Sequence, residues 1–351
     1  MAKVLMKGNE AIGKAAIVAG CRGFFGYPIT PQNEIPEYMS HALPEVGGAF
    51  VQAESEVAAI NMIYGAAGTG TRCLTSSSSP GIALKQEGIT YLAGAELPAV
   101  IVNMMRGGPG LGGIQPAQSD YNMCVKGGGN GDYRVLTLAP ASVQEAVDIT
   151  MDSFDLADKY RTPVMILSDG IIGQMMEPVD FDKKNKIEIP EKKWATVGTN
   201  NLREPNIINS LYLAAEDLEI HNINLFKKYD KIIANEQKSE SYKIEDAELV
   251  LVAYGTTSRI CRNVVDSLRE LGCKVGMFRP ITLWPFPKVA LNTIKEGTKL
   301  LVVEMSMGQM VEDIKLYSEC KYPVSFYGRT GGIIPTPDEI LKKSKEILGG
   351  K

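Results

Sequence analysis

The sequence predicts an α/β fold: two domains with mostly parallel sheets. Three observations carry this. The chain has 351 residues, more than a single hydrophobic core ordinarily serves, so two domains are expected. Short apolar runs alternate with segments of helical period along residues 1–180, and again from 248 onward. Between them, residues 181–246 are rich in Lys, Glu and Asn, as in DKKNKIEIPEKKW and ANEQKSESYKIED. The expected partition is a first α/β domain over 1–180, a polar linker with a long helix over 181–246, and a second, smaller α/β domain over 247–351.

Taken in order, residues 9–19 place Ile12, Ala15, Ala16 and Ala19 on one helical face. The strand-like run FFGYP comes next. Residues 54–67 read as a helix with Val57, Ile60, Tyr64 and Ala67 on one side. TRCLT is a strand, GIALKQEGITYLAGA a helix, and AVIVNMM a strand apolar on both faces. RVLTLAP is a further strand. Ser142 and Glu145 stand at capping-box spacing before the apolar period of SVQEAVDITMDSFDLADKY, and PVMILSDG closes the series. Alternation at this pace means a parallel sheet covered on both sides. In the middle segment, Ile208, Leu211, Ala215, Leu218, Asn222, Leu225, Tyr229 and Ile232 recur at spacings of three and four. That is a heptad-type seam, of a helix that either lies on a domain or contacts another subunit. Beyond it, ELVLVAYG, KVGMFRP, KLLVVEMS and VSFYGR are strands. TTSRICRNVVDSLRELG, FPKVALNTIKEG, MVEDIKLYSEC and PDEILKKSKEIL are the helices between and after them.

Composition excludes several functions. Net charge is −4 and no basic stripe is present, so nucleic acid is not an expected partner. The six cysteines are dispersed and none forms a C-x-x-C pair, which argues against a zinc ribbon or an iron–sulfur cluster on this chain. Dispersed cysteines and an N-terminus, MAKVLMKGNE, without an apolar core suit the reducing cytoplasm. No apolar run is long enough to span a membrane.

Three short patterns invite a chemical reading. GPGLGG (108–113) is a literal G-x-G-x-x-G after a strand, but Pro109 interrupts it and no clear apolar helix comes after it. A ligand-approach loop at the carboxyl end of the sheet is the better expectation. SDG (168–170), with Asn200 and Asn201 downstream, approximates a magnesium–diphosphate signature. Ser168 replaces its first glycine and the asparagines come late, so Asp169 is expected to be a turn residue. SSSSP (76–80) precedes a helix, where hydroxyls and free N–H groups could cradle an anion; capping by Ser79 is the plainer expectation.

Thr30, Glu56 and Arg106 stand at strand ends or helix starts, points that an open parallel sheet gathers on one edge. Each has an ordinary explanation. Thr30 suits an N-cap with Pro31 at the first helical position, Glu56 suits a first helical turn, and Arg106 suits a surface ion pair. Their contexts, GNEAIGKAA, GYPITPQNEIPEYM, QAESEVAAINMIYGAAGTG and MRGGPGLGG with QSDY after it, together resemble the alpha-type subunit of the 2-oxoacid:ferredoxin oxidoreductases. FRPITLWPFP and GGIIPTPDEI resemble that family's second domain. ITPQNEIPEYMS, SSSSPGIALKQEGITYLAGAELP and GPGLGGIQPAQSDY look most like the branch acting on the branched-chain acid 2-oxoisovalerate (3-methyl-2-oxobutanoate). The pyruvate and 2-oxoglutarate branches look more distant.

The resemblance implies a pyrimidine-type thiamine-diphosphate-binding domain followed by a transketolase C-terminal-like domain. It implies CoA-dependent oxidative decarboxylation of a 2-oxo acid, with ferredoxin as acceptor. Thiamine diphosphate would be shared with a beta-type subunit that holds the diphosphate and magnesium. Iron–sulfur clusters would sit on beta- and gamma- or delta-type subunits, making a hetero-oligomer. Glu56 matches the family's cofactor glutamate, with Glu54 as the competing candidate; Thr30 and Arg106 match residues that bind the substrate carboxylate. The chemistry agrees, since a carboxyl group at pyrimidine N1′ favours the imino tautomer and an arginine with a hydroxyl can orient a small anion. A 2-oxoglutarate enzyme, a free-standing dinucleotide dehydrogenase and a non-catalytic scaffold are the alternatives.

Overall fold

The computed structural model describes residues 3–182 and 189–349. The first part runs β1 (Val4–Lys7), α1 (Gly8–Val18), β2 (Gly23–Gly26), α2 (Glu34–Glu45), β3 (Ala49–Gln52), α3 (Glu56–Gly68), β4 (Cys73–Ser77), α4 (Ser79–Gly94) and β5 (Ala99–Met105). It continues with α5 (Tyr121–Val125), β6 (Leu136–Leu138), α6 (Val143–Tyr160), β7 (Pro163–Asp169), α7 (Gly170–Gln174) and β8 (Met176–Val179). Then come α8 (Ala215–Asn235), β9 (Ser239–Tyr242), β10 (Leu249–Val252), α9 (Gly255–Glu270), β11 (Val275–Pro280), β12 (Thr282–Trp284) and α10 (Lys288–Leu291). β13 (Lys299–Glu304), α11 (Met310–Tyr317), β14 (Val324–Gly328) and α12 (Pro337–Leu348) complete the chain.

Among the described residues, seven strands form one sheet in the order β12-β6-β7-β5-β4-β2-β3, and five form another, β14-β13-β10-β11-β9. Both are parallel except for one antiparallel edge strand each: β12 against β6 and β9 against β11. β5 and β7 occupy the middle of the first sheet and every residue of both is buried. That is why their sequences are continuous apolar runs, with no alternation to report an exposed face.

The second sheet alternates in the ordinary way. Leu249 and Leu251 pack with Val264 and Leu268 of α9 and Ile340 of α12. Val250, Val252, Phe278, Leu300 and Val302 turn the other way and join the core of the first domain. β12 crosses fully, extending the first sheet from a segment that lies beyond the second domain's first strand. Gln118 adds a buried polar clamp. Its Nε2 donates to Tyr254 O (2.8 Å), and its Oε1 accepts from Thr257 Oγ1 (2.7 Å) and Met305 N (3.0 Å).

Three local expectations change. The helical face of α3 is rotated: Ile60, Ile63 and Ala67 are buried, while Val57 is exposed and Tyr64 half-buried. The expected helix over 286–297 is only α10, four residues long, flanked by Pro287 and a turn. The heptad-type seam is shorter than its pattern. Helix α8 begins at Ala215, leaving Ile208 and Leu211 upstream in irregular chain, and its buried residues are Leu225, Tyr229 and Ile232. The helix lies on the first domain. Tyr229 meets Trp284 edge-on at 5.7 Å, and Lys228 Nζ reaches Glu96 Oε2 at 2.9 Å. No helix of the described residues is long and apolar enough to cross a membrane.

Candidate functional site

β2, β4 and β5 are neighbours in the first sheet, and the segments leaving their carboxyl ends build the site. After β2 the chain turns at Ile29–Gln32, closed by Gln32 N–H donating to Ile29 O (3.1 Å), with a cis Thr30–Pro31 peptide. Helix α2 starts only at Glu34, with Asn33 as its N-cap. The N-cap reading of Thr30 is therefore wrong. The turn is pinned off any helical path, because Pro31 O accepts from Asn9 Nδ2 (2.8 Å) and Gln174 Nε2 (3.1 Å). Among the described residues the Thr30 hydroxyl makes no hydrogen bond, so it is not consumed by local structure.

Arg106 comes directly after β5 and is 7% exposed. Its Nη1 donates to Thr30 O (2.9 Å) and its Nη2 to Leu111 O (3.2 Å), while Nε is buried without a partner. Among the described residues it has no acidic partner, so the surface ion pair is absent. A buried guanidinium facing only carbonyl oxygens retains an uncompensated charge, an arrangement that favours an anionic ligand.

Glu56 is the first residue of α3. Ser55 caps that helix, its Oγ accepting from Ala58 N (3.1 Å), and the turn directs Glu56 inward, 3% exposed. The competing Glu54 is exposed. Glu56 Oε1 accepts from Ser77 Oγ (2.6 Å). Glu56 Oε2 lies 3.0 Å from Lys85 Nζ, an ion pair not aligned as a hydrogen bond, so this oxygen keeps capacity for a donor.

The serine run joins these parts. Ser76 Oγ donates to Gln32 Oε1 (2.5 Å), behind the Thr30 turn, and Ser77 serves Glu56. Ser79 Oγ donates to Asp120 Oδ2 (2.5 Å) and accepts from Arg106 N (3.0 Å). Ser79 does not cap α4 as expected. It is the first helical residue, and Ser78 is the N-cap, though without a side-chain cap bond. Burial holds the Asp120 carboxyl above its usual range, against the bonds from Ser79 and Asn103. Thr30 and Arg106 are thus in contact, and Glu56 is tied to the same β4–α4 corner two residues away.

Sequence reasoning weighed Ser77 only within the SSSSP run, as part of an anion cradle, and gave no role to Gly81 or Lys85. At Gly81 a Cβ would stand 2.1 Å from Ser77 Oγ and 2.3 Å from Glu56 Oε1, so only glycine lets the carboxylate lie against the helix. Lys85 had a legible signal: it sits between Ile82 and Ile89 on the buried face of α4, where a lysine needs an internal partner.

The other patterns resolve into structure. GPGLGG folds back as a loop, Gly113 N–H donating to Gly107 O (2.9 Å), with no helix start to receive a pyrophosphate. Gly112 has φ +58°, and a Cβ there would meet Gly107 O at 1.9 Å. Asp169 caps α7, accepting from Ile171 N (2.9 Å), and takes a bond from Thr256 Oγ1 (2.8 Å). The cleft of about 330 Å³ between the domains is lined by Glu145, Arg259, Arg262 and Arg279, among others, and does not include Thr30, Glu56 or Arg106.

Residues 14–238 match the family model described as pyruvate flavodoxin/ferredoxin oxidoreductase, thiamine diphosphate-binding; residues 247–340 match pyruvate:ferredoxin oxidoreductase core domain II. The ketoisovalerate oxidoreductase subunit VorB of Methanothermobacter marburgensis is 52% identical, over 99% of both chains. The 2-oxoglutarate synthase subunit KorA of Methanothermobacter thermautotrophicus is 35% identical over 96% of both. The 2-oxoglutarate:ferredoxin oxidoreductase of Magnetococcus marinus, solved with 2-oxoglutarate, coenzyme A and succinyl-CoA bound, superposes with a TM-score of 0.87 at 27% identity. That match covers 98% of the present chain, which spans 65% of the length of the solved one. With both halves matched in order, the chain belongs to the pyruvate flavodoxin/ferredoxin oxidoreductase family.

Proposed function

We propose that this chain is the pyrimidine-binding subunit of a thiamine-diphosphate-dependent 2-oxoacid:ferredoxin oxidoreductase acting on 3-methyl-2-oxobutanoate. In the reaction the substrate carboxylate leaves as carbon dioxide, the electron pair passes to ferredoxin, and CoA takes the acyl group through its sulfur. The observation that carries the reading is Arg106: a buried cation with no acid beside it among the described residues, in contact with the Thr30 turn and tied to the corner that holds Glu56. It supplies the charge a small 2-oxo acid needs.

The residues present fit the aminopyrimidine. Glu56 is a buried carboxylate with one oxygen able to take a further donor, held by Ser77 and seated against a helix start that lacks a Cβ at Gly81. Bound thiamine diphosphate supplies an electron sink for the carboxylate's departure. Glu56 holds the proton at pyrimidine N1′, and Arg106 with the Thr30 hydroxyl orients the substrate carboxylate. The diphosphate, magnesium and iron–sulfur clusters belong to beta- and gamma- or delta-type partners in a cytoplasmic hetero-oligomer. Identity of 52% to the ketoisovalerate enzyme's subunit, against 35% to a 2-oxoglutarate enzyme's, supports the branched-chain acid.

The test is anaerobic purification of the complex through this chain, then CoA-dependent viologen reduction with 2-oxoisovalerate, 2-oxoglutarate and pyruvate. Preference for 2-oxoisovalerate by a thiamine-diphosphate-loaded complex is expected. A stable, loaded complex that prefers 2-oxoglutarate, or turns over none of the three, overturns the assignment.

A further inference from the structure

We propose that Lys85 is a positioning residue that keeps Glu56 ionised and aimed at the pyrimidine. The proposal rests on the reading of Glu56 as the cofactor carboxylate. Lys85 has no exposed surface, which lysine adopts only when paired. Its ammonium donates to Thr75 Oγ1 at 2.8 Å and Ser76 O at 3.1 Å, and stands 3.0 Å from Glu56 Oε2 as an ion pair outside hydrogen-bond alignment. Two neutral acceptors and one carboxylate around it suit an ammonium. Ser77 holds the other Glu56 oxygen, so the carboxylate is gripped from β4 on one side and α4 on the other.

Packing alone does not call for this lysine. An apolar side chain of similar length would fill the same space between Ile82 and Ile89, and buried ion pairs are commonly no more stabilising than such replacements. The chemistry supplies the reason. A carboxyl group taken out of water is pushed toward its neutral form, whereas it is the carboxylate that stabilises a proton held at N1′. A cation at 3.0 Å opposes that push. The groups facing Lys85 are few: Glu56 from α3, and the non-titrating Thr75 and Ser76 from β4, with Ser77 beside them. Burial outweighs the opposing pull of the Glu56 carboxylate and holds the Lys85 ammonium below its usual range.

The experiment uses the assembled complex carrying Lys85→Met, Glu56→Gln or both. Lys85→Met should shift the acid limb of the kcat–pH profile upward by about 1 to 3 pH units. It should also weaken thiamine diphosphate binding most at low pH. In the cofactor-free complex near neutral pH, infrared spectra should gain the carbonyl stretch of a protonated carboxylic acid, and Lys85→Met/Glu56→Gln should lack it. A Lys85→Met complex with the wild-type acid limb and no such band overturns the proposal. Should Lys85→Met fail to assemble, the double variant decides. Recovery of assembly shows that the damage was an uncompensated Glu56 charge, and continued failure shows a purely structural lysine. Wild-type turnover and cofactor affinity in Glu56→Gln would instead sink the cofactor role of Glu56, while the infrared result would still report whether Lys85 controls its ionisation.

Discussion

Arg106 and Thr30 act on the same proposed ligand with unequal strength. Both bond a charged carboxylate, where one hydrogen bond contributes about 1.5–3 kcal/mol, but Arg106 adds its own charge and more than one N–H donor. Arg106→Ala should therefore raise the KM for the 2-oxo acid by about a hundredfold or more, and Thr30→Val by roughly tenfold to a hundredfold, always less than Arg106→Ala. The KM for CoA should stay nearly constant in both. Steady-state kinetics with each substrate varied checks this, and equal effects on both substrates would contradict carboxylate binding. Glu56 was legible as a candidate because its helix-start position and family context coincide. The pairing with its two holders was not, since Ser77 and Lys85 lie 21 and 29 residues downstream, where only the folded β4–α4 corner brings them to the carboxylate.

At the scale of elements, that corner assigns adjacent serines different tasks. Ser78 occupies the N-cap of α4, where replacing serine with alanine ordinarily costs about 1 kcal/mol. Here its hydroxyl is buried, with no cap bond and no partner. Ser78→Ala should therefore be neutral or stabilising in denaturant unfolding of the assembled complex. Ser77→Ala removes a hydrogen bond to a buried carboxylate and should cost about 1.5–3 kcal/mol. A larger loss in Ser78→Ala than in Ser77→Ala would mean that the corner is organised by helix capping after all. Helix α8 shows the opposite limit of sequence reading. Its heptad-type spacing extends past the helix start, because periodicity records where apolar residues fall and not where backbone hydrogen bonds begin.

At the scale of the molecule, the two domains are joined by β12, by the Gln118 clamp and by a charged link. Arg279 forks onto Glu145 with contacts of 2.8 and 2.7 Å and reaches Glu240 at 2.8 Å. Ser142 accepts from Glu145 N–H (3.1 Å) as the capping box requires, but the Glu145 carboxylate bonds Ala141 N–H (2.8 Å) and faces the other domain. Burial pushes the Glu145 carboxyl up, and the Arg279 fork outweighs it, holding the group below its usual range. A carboxyl lowered in the folded state adds stability that is complete above its unfolded pKa, about 4.3, and lost as pH falls through the lower folded value. Glu145→Gln should thus be less stable than wild type at neutral pH, by on the order of 1–2 kcal/mol, with the gap closing as the medium is acidified below that range. Thermal unfolding across pH measures it. A gap that stays constant with pH would show that the link acts through packing and not charge.

The class of fold and most of the strands and helices were legible in the amino-acid sequence, through short-range period and turn chemistry, which are local. Thr30, Glu56 and Arg106 were singled out as candidates by the resemblance of their contexts to the family, since each alone had an ordinary explanation. Other features came from the folded chain alone. Thr30 is pinned outside the helix it was expected to cap, Arg106 has no acid beside it among the described residues, and Lys85 lies under Glu56. β12 belongs to the first sheet although its segment lies among the second domain's strands. Each of these depends on which distant segments meet when the sheets close, and on the cost of burying a charge without a partner, neither of which local pattern records.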